Sequence, residues 1–152
     1  LLKDYSAPGV SHISNEDVLT CDCDGLVPAA LENQITADNA GKLNCRYIVE
    51  AANGPTTEEA DAILEHRGIT LIPDIFANSG GVIVSYFEWV QNIQELTWDR
   101  DQVNEMLEKL MSKSFQSLLD AADECHCSYR MAAYIVALRK LVTAEKMKGI
   151  FP

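Results

Sequence analysis

An α/β fold built on a short parallel sheet is the class this sequence predicts, and three observations predict it. Brief apolar runs of strand length recur three times, at Gly25-Leu26-Val27, Arg46-Tyr47-Ile48-Val49-Glu50 and Ile69-Thr70-Leu71-Ile72. The segments between them are short and read as helical, which suits parallel crossovers. After the third run the chain is mostly helical.

In chain order, Leu1 to Asn15 is a polar lead-in with a Pro8-Gly9 turn. It has no initiator Met, so an excised or processed piece is expected. Gly25-Leu26-Val27 reads as a short buried strand that Pro28 ends, and Ala29-Ala30 are small enough to let a ligand lie against the backbone. Thr36 to Leu43 predicts a short helix closing near Gly41. Past the second run, Asn53-Gly54-Pro55 precedes a helix whose predicted cap is Thr56, with Glu59 completing a capping box. Ala60, Ile63 and Leu64 form its buried stripe, and Gly68 stops it.

The third run ends at Pro73-Asp74, and a helix is predicted from Gly81 to about Ile93. Val82, Ser85 and Trp89 fall at i, i+3 and i+7, with Asn78 four residues ahead, so the four share an arc of about 60° on one face. Asn78 is the predicted cap of this helix, and Gly80 and Gly81 let a backbone approach a planar ring or a carboxylate. On spacing alone the same stripe also fits a capped core helix whose Ser85 bonds back to the preceding turn. Val103, Leu107, Leu110, Ser114 and Leu118 then mark a long packing helix, with Asp99 to Asp101 at its start. The last helix, Ser128 to Lys148, has Ala132, Ala133 and Ala137 for close packing, and Gly149 ends it.

The 152 residues suffice for one modest core, and a formal net charge of −11 disfavours nucleic acid or an anionic membrane as partner. Neither a signal peptide nor an apolar run of membrane-spanning length is present, so a cytoplasmic protein is expected. The five cysteines include two C-x-C pairs, and reduced thiols are favoured over a soft metal at Cys125-His126-Cys127. His12 and His66 sit in polar sequence and are expected at the surface.

Ligands of open α/β sheets bind beyond the carboxyl ends of the strands. Ala29, Asn53 and Asn78 follow the three runs and would share that rim, although an Asn before Gly-Pro also serves turn geometry alone. The eight glycines contain no G-x-G-x-x-G, so a phosphate cradle is absent.

PDIFANSGGVIVSYFEWVQN from Pro73, VPAALENQIT from Val27 and EAANGPTTEEA from Glu50 resemble the C-terminal part of the hexameric glutamate dehydrogenases. The likeness runs from about Val18 to Gly149, and SYFEWVQN favours the glutamate enzymes over their leucine and phenylalanine relatives. The resemblance implies a Rossmann-like parallel sheet, the second half of a dinucleotide-binding domain, followed by C-terminal helices. One domain over 1–152 is expected, with a βαβαβ-α core to about 93 and closing helices over 94–152 that belong to a hinge.

It further implies NAD or NADP as cofactor, L-glutamate and 2-oxoglutarate as substrates, and a homohexameric parent, this chain alone being a monomer or weak dimer. Ala29, Asn53 and Asn78 are implied at the cofactor, with Val82 and Ser85 at the substrate. Ser79 stands where many relatives have Ala, and Arg130 and Arg139 read as structural or surface cations. The family's catalytic lysine and aspartate lie in a domain that this sequence does not contain, so the chain is expected to be inactive alone. A non-catalytic assembly or regulatory module, presenting Tyr86, Phe87 and Trp89 to a partner, is the alternative.

Overall fold

The structure, a computed structural model, describes residues 4–149. Leu1 to Lys3 of the expected lead-in lie outside the described residues. Strands β1 (Gly25–Leu26), β2 (Tyr47–Val49) and β3 (Thr70–Ile72) form a parallel sheet in the order β1-β2-β3. Helix α1 (Asn15–Thr20) precedes them, and α2 (Ala37–Ala40) and α3 (Glu58–His66) are the crossovers. Four helices follow: α4 (Asp74–Ala77), α5 (Ser79–Gln94), α6 (Arg100–Cys125) and α7 (Tyr129–Lys148).

Register explains the first core. Leu26 pairs with Ile48 and Ile48 with Leu71, so each strand contributes one side chain to the same face of the sheet. These three meet Ile35, Ala40, Leu43, Ala60 and Leu64 from the crossover side. The opposite face is more open, because β2 leaves Tyr47 and Val49 exposed. Val27, expected inside, is 57% exposed; it follows Leu26 in alternation and so turns to the other side.

A second core joins Leu118 and Ala121 of α6 to Ala132 and Ala133 of α7, so the small residues of the last helix do admit a close neighbour. Phe76 of α4 stacks on Phe115 at 5.4 Å between ring centroids and ties this cluster to the end of β3. Asp99 caps α6 through a reciprocal pair with Gln102, as the acidic start predicts. Leu110 departs from the expected buried stripe and is 41% exposed, since α6 is open on the side it faces.

Two helix starts differ from expectation. Helix α5 begins at Ser79, directly behind α4, instead of at Gly81. The cap of α3 is Thr57, whose Oγ1 accepts from the Ala60 N–H at 3.3 Å. Thr56 is taken up one position earlier, in an isolated parallel bridge to Ile35, and its Oγ1 is buried with no hydrogen-bond partner. At the far end of α3, Gly68 adopts φ +73°, a left-handed conformation that suits glycine at a helix stop. Beside it the Arg67 guanidinium donates to the carbonyls of Ala40 and Leu43, closing α2 as well. His12 and His66 are exposed, as their polar surroundings imply.

The two threonines should separate cleanly in urea unfolding. Thr57→Ala is expected to cost about 0.5–2 kcal/mol by removing the cap. Thr56→Val, which removes an unpartnered hydroxyl and keeps the shape, should leave the midpoint unchanged or raise it.

Candidate functional site

The carboxyl ends of β1 and β2 and the start of α5 enclose an open cleft of about 480 Å³. Its walls are Ala30, Glu32, Ala51, Ala52, Asn53, Asn78, Gly81 and Val82. The end of β1 is laced to the end of β2 by the Pro28 carbonyl, which accepts from the N–H groups of Ala51 and Ala52 at 3.1 and 2.9 Å. Across the mouth, Asn78 Nδ2 donates to Asn53 Oδ1 at 2.7 Å. That bond leaves the Asn53 amide nitrogen and the Asn78 carbonyl oxygen free to meet a donor–acceptor ligand.

Asn78 is therefore not the side-chain cap that the sequence predicts. Its backbone is helical, with φ −92° and ψ −1°, so the side chain cannot turn back on the first turn of α5. Gly81 opens on the cleft, and a Cβ at that position would meet nothing within 4 Å apart from its own helix backbone and chain neighbours. Gly80 has a different role: its Cβ position lies 3.8 Å from Leu107 of α6, an ordinary packing distance.

Of the five expected site residues, Asn53, Asn78 and Val82 line this one cleft. Ala29 is exposed next to the wall, and its neighbour Ala30 is the alanine that lines it. Ser85 lies one helical turn beyond Val82 and is exposed. Its hydroxyl does not fold back onto its helix as those of Ser117 and Thr143 do. Ser79 is directed away from the cleft, donating to the Phe76 carbonyl at 2.7 Å with Met111 Sδ at 3.4 Å. Of the aromatic trio, Tyr86 and Trp89 are exposed and stacked at 5.8 Å, whereas Phe87 is buried edge-on against Trp98.

Behind the cleft lies the feature that sequence reading missed. Glu50, the residue after β2, is fully buried. Its carboxylate accepts from Arg130 Nη2 at 2.7 Å and Nη1 at 3.0 Å, a two-pronged pairing from the first turn of α7. Arg130 Nε donates to Asp61 Oδ2 of α3 at 2.7 Å, and Nη1 lies 3.6 Å from Asp74 Oδ1 of α4. Burial alone would lower the Arg130 pKa. The hydrogen bonds and charges of Glu50 and Asp61 outweigh it and raise that pKa further, so the guanidinium stays charged. Arg130 is thus the structural cation expected, and Arg139 is a surface one, paired with Glu124 at 2.7 Å.

The cysteines are all free. Cys23 and Cys45 lie at the opposite rim, in a hollow with Asp22, Asp24, Asn44 and Arg46. Burial raises both thiol pKa values, and neighbouring thiols add to the effect; burial also raises Cys127, with Cys125 and Glu65 contributing. Raised values keep these thiols protonated at neutral pH.

Residues 2–149 match the Glutamate/Leucine/Phenylalanine/Valine dehydrogenase family. A cryptic catabolic NAD-specific glutamate dehydrogenase of Bacillus subtilis is 50% identical over 90% of this chain and 32% of its own length. An NADP-specific glutamate dehydrogenase of Halobacterium salinarum is 50% identical over 92% of this chain and 34% of its own. Among solved structures, a hetero-hexameric glutamate dehydrogenase from Thermus thermophilus in a leucine-bound form superposes with a TM-score of 0.89 at 30% identity. That match covers 97% of this chain and 35% of the other. The chain spans about a third of the length of the relatives it matches.

Two outcomes are expected from this geometry. Arg130→Met leaves a buried carboxylate unpaired and should cost about 3–5 kcal/mol in chemical unfolding, with part of the loss recovered when Glu50→Gln is added. Iodoacetamide at neutral pH should label exposed Cys21 and Cys125 before Cys23, Cys45 and Cys127, as read by mass spectrometry.

Proposed function

The chain belongs to the Glutamate/Leucine/Phenylalanine/Valine dehydrogenase family, and from that premise we propose that it forms the C-terminal portion of the NAD(P)-binding domain of a glutamate dehydrogenase. The proposed reaction is oxidative deamination of L-glutamate to 2-oxoglutarate and ammonia, and the bound NAD(P) supplies the hydride acceptor. The observation that carries the reading is the rim cleft: small, amide-bearing and aliphatic residues converge at the ends of two adjacent parallel strands and the start of a helix.

The lining fits one end of such a cofactor. It has Ala30, two alanines from the end of β2, the Asn53–Asn78 pair, an unobstructed Gly81 and Val82, with Glu32 its one charged residue and no cation. An uncharged planar ring with a carboxamide suits these walls, whereas a pyrophosphate does not. In this assignment Asn53 and Asn78 hydrogen-bond the nicotinamide end, and Ala29 with Ala30 lets it lie close to the backbone. Val82 walls the aliphatic stem of the substrate, and the free Ser85 hydroxyl donates to its distal carboxylate. The task of these residues is orientation and exclusion of water.

Supporting the same reading, the sheet is covered chiefly on one face, whereas parallel sheets are ordinarily buried on both. Met131, Tyr134, Leu138 and Leu141 also form an exposed apolar stripe on α7, opposite the side that packs on α6. Surfaces of this kind suit a helix that contributes to the hinge between cofactor and substrate domains. The parent is proposed to be a homohexamer in the cytoplasm, with this chain alone a monomer or weak dimer. Among the described residues no helix is long and apolar enough to cross a membrane. NAD-specific and NADP-specific relatives are each 50% identical to this chain over the matched residues. The second reading, an assembly or regulatory module, draws its support from the exposed Tyr86–Trp89 stack.

Titration of the chain with NADH and NADPH, followed by NMR, tests the proposal. Shifts are expected at Asn53, Asn78 and Val82, with half-saturation no tighter than roughly 1 mM, about −4 kcal/mol, because the cleft has no phosphate grip. Micromolar binding would overturn the half-site assignment, and shifts that avoid the rim would favour the module.

A further inference from the structure

We propose that Arg130 is a positioning residue for the rim cleft, holding the Asn53–Asn78 pair in place from α7 through Glu50, Asp74 and the Gly54 backbone. The inference rests on the reading of that cleft as a cofactor rim.

The contacts form a closed ring. Gly54 N–H donates to Asp74 Oδ2 at 2.7 Å, and Gly54 is joined covalently to Asn53. Asn53 accepts from Asn78 Nδ2, and Asn78 ends the short helix that Asp74 begins. Arg130 and Glu50 close on this ring at Asp74: the Asp74 N–H donates to Glu50 Oε2 at 2.9 Å, and Arg130 Nη1 faces Asp74 Oδ1 at 3.6 Å.

Charge pairing alone does not call for this third carboxylate. Glu50 and Asp61 already engage all three guanidinium nitrogens. Asp74 instead directs its oxygens to backbone, one to the Gly54 N–H and the other to the Ile75 N–H at 2.7 Å. It therefore sets the path of two rim segments. Gly54 adopts φ +53°, a left-handed turn, and its carbonyl accepts from Asn33 N–H at 2.9 Å, so a third segment is fastened to the same point.

The relay begins at the second residue of a 20-residue helix. A helix moves as a stiff rod, so displacement of α7 reaches Arg130 without being absorbed on the way. The position of the closing helix and the spacing of the two asparagines are then coupled mechanically.

Asp74→Ala removes the carboxylate with its contacts to Gly54, Ile75 and Arg130 and leaves Glu50 and Asp61 paired with Arg130; Arg130→Lys keeps the charge and loses the fork. Amide exchange and side-chain NH2 spectra of the whole chain read both variants, with and without NADH. In Asp74→Ala the Gly54 amide should exchange about tenfold faster or more, and the Asn78 side-chain amide should move to its free position. Ile48 and Ala132 should keep their protection, NADH-induced shifts at Asn53 and Asn78 should shrink, and Arg130→Lys should fall between. Unchanged Gly54 and Asn78 signals would overturn the proposal. Equal loss of protection at Ile48 and Ala132 would also overturn it, by reducing the network to general stability. Absence of NADH shifts in the unmodified chain would reject the functional reading, while the exchange data would still decide the relay.

Discussion

A carboxylate with no access to water constrains this structure more than any other single group. Glu50 sits at the carboxyl end of the central strand, and its charge is tolerable only beside Arg130, which comes from the far end of the chain. The sheet core and the α6–α7 core share few side chains, so packing alone would leave their relation loosely defined. A two-pronged guanidinium–carboxylate contact has a narrow geometry. It fixes where the first turn of α7 meets β2, α3 and α4.

Buried ion pairs of this kind add little net stability, because removing both charges from water costs nearly what their attraction returns. What the pair supplies here is a defined arrangement. Glu50, Asp61 and Asp74 lie on three separate elements and converge on one cation, so α7 has one seat that satisfies all three. The apolar contact of Ala132 and Ala133 with α6 supplies area but could slide along the helix; the ion network sets the register.

The sequence made the scaffold legible wherever local pattern decides. Apart from Val27, the three apolar runs, the short crossovers and the alanines of α7 fold as read, because strand propensity, loop length and side-chain size act within a few residues. Errors arose where a distant partner competes. Thr56 with Glu59 imitates a capping box, but Ile35, 21 residues earlier, holds Thr56 in a bridge and passes the cap to Thr57. Asn78 has the composition of a cap and bonds instead to Asn53, 25 residues away. Arg130 and Glu50 are separated by 80 residues, and no periodicity reports such a pair. The rim position of Asn53 and Asn78 followed from the rule about strand ends, and that of Val82 from its place on the same helical face as Asn78. Ala30 was legible beside Ala29 from its small side chain, whereas Glu32 became visible only with the loop path, which turns at Asn33 in a left-handed conformation.

The same separation of scales bears on how such a cleft can be precise while lying on loops. Loop residues are positioned by whatever holds their backbone, and here that is a carboxylate anchored from behind. The face turned to a ligand is left neutral apart from Glu32, with amides, aliphatic walls and a bare glycine. The charges lie behind it, where they fix geometry without attracting an anion to the mouth. Such a surface discriminates by shape and amide pairing rather than by charge. On the proposed reading this division has a physical logic: the charged end of a cofactor is held by one set of groups, while its reactive ring rests on an electrically quiet wall whose spacing α7 controls.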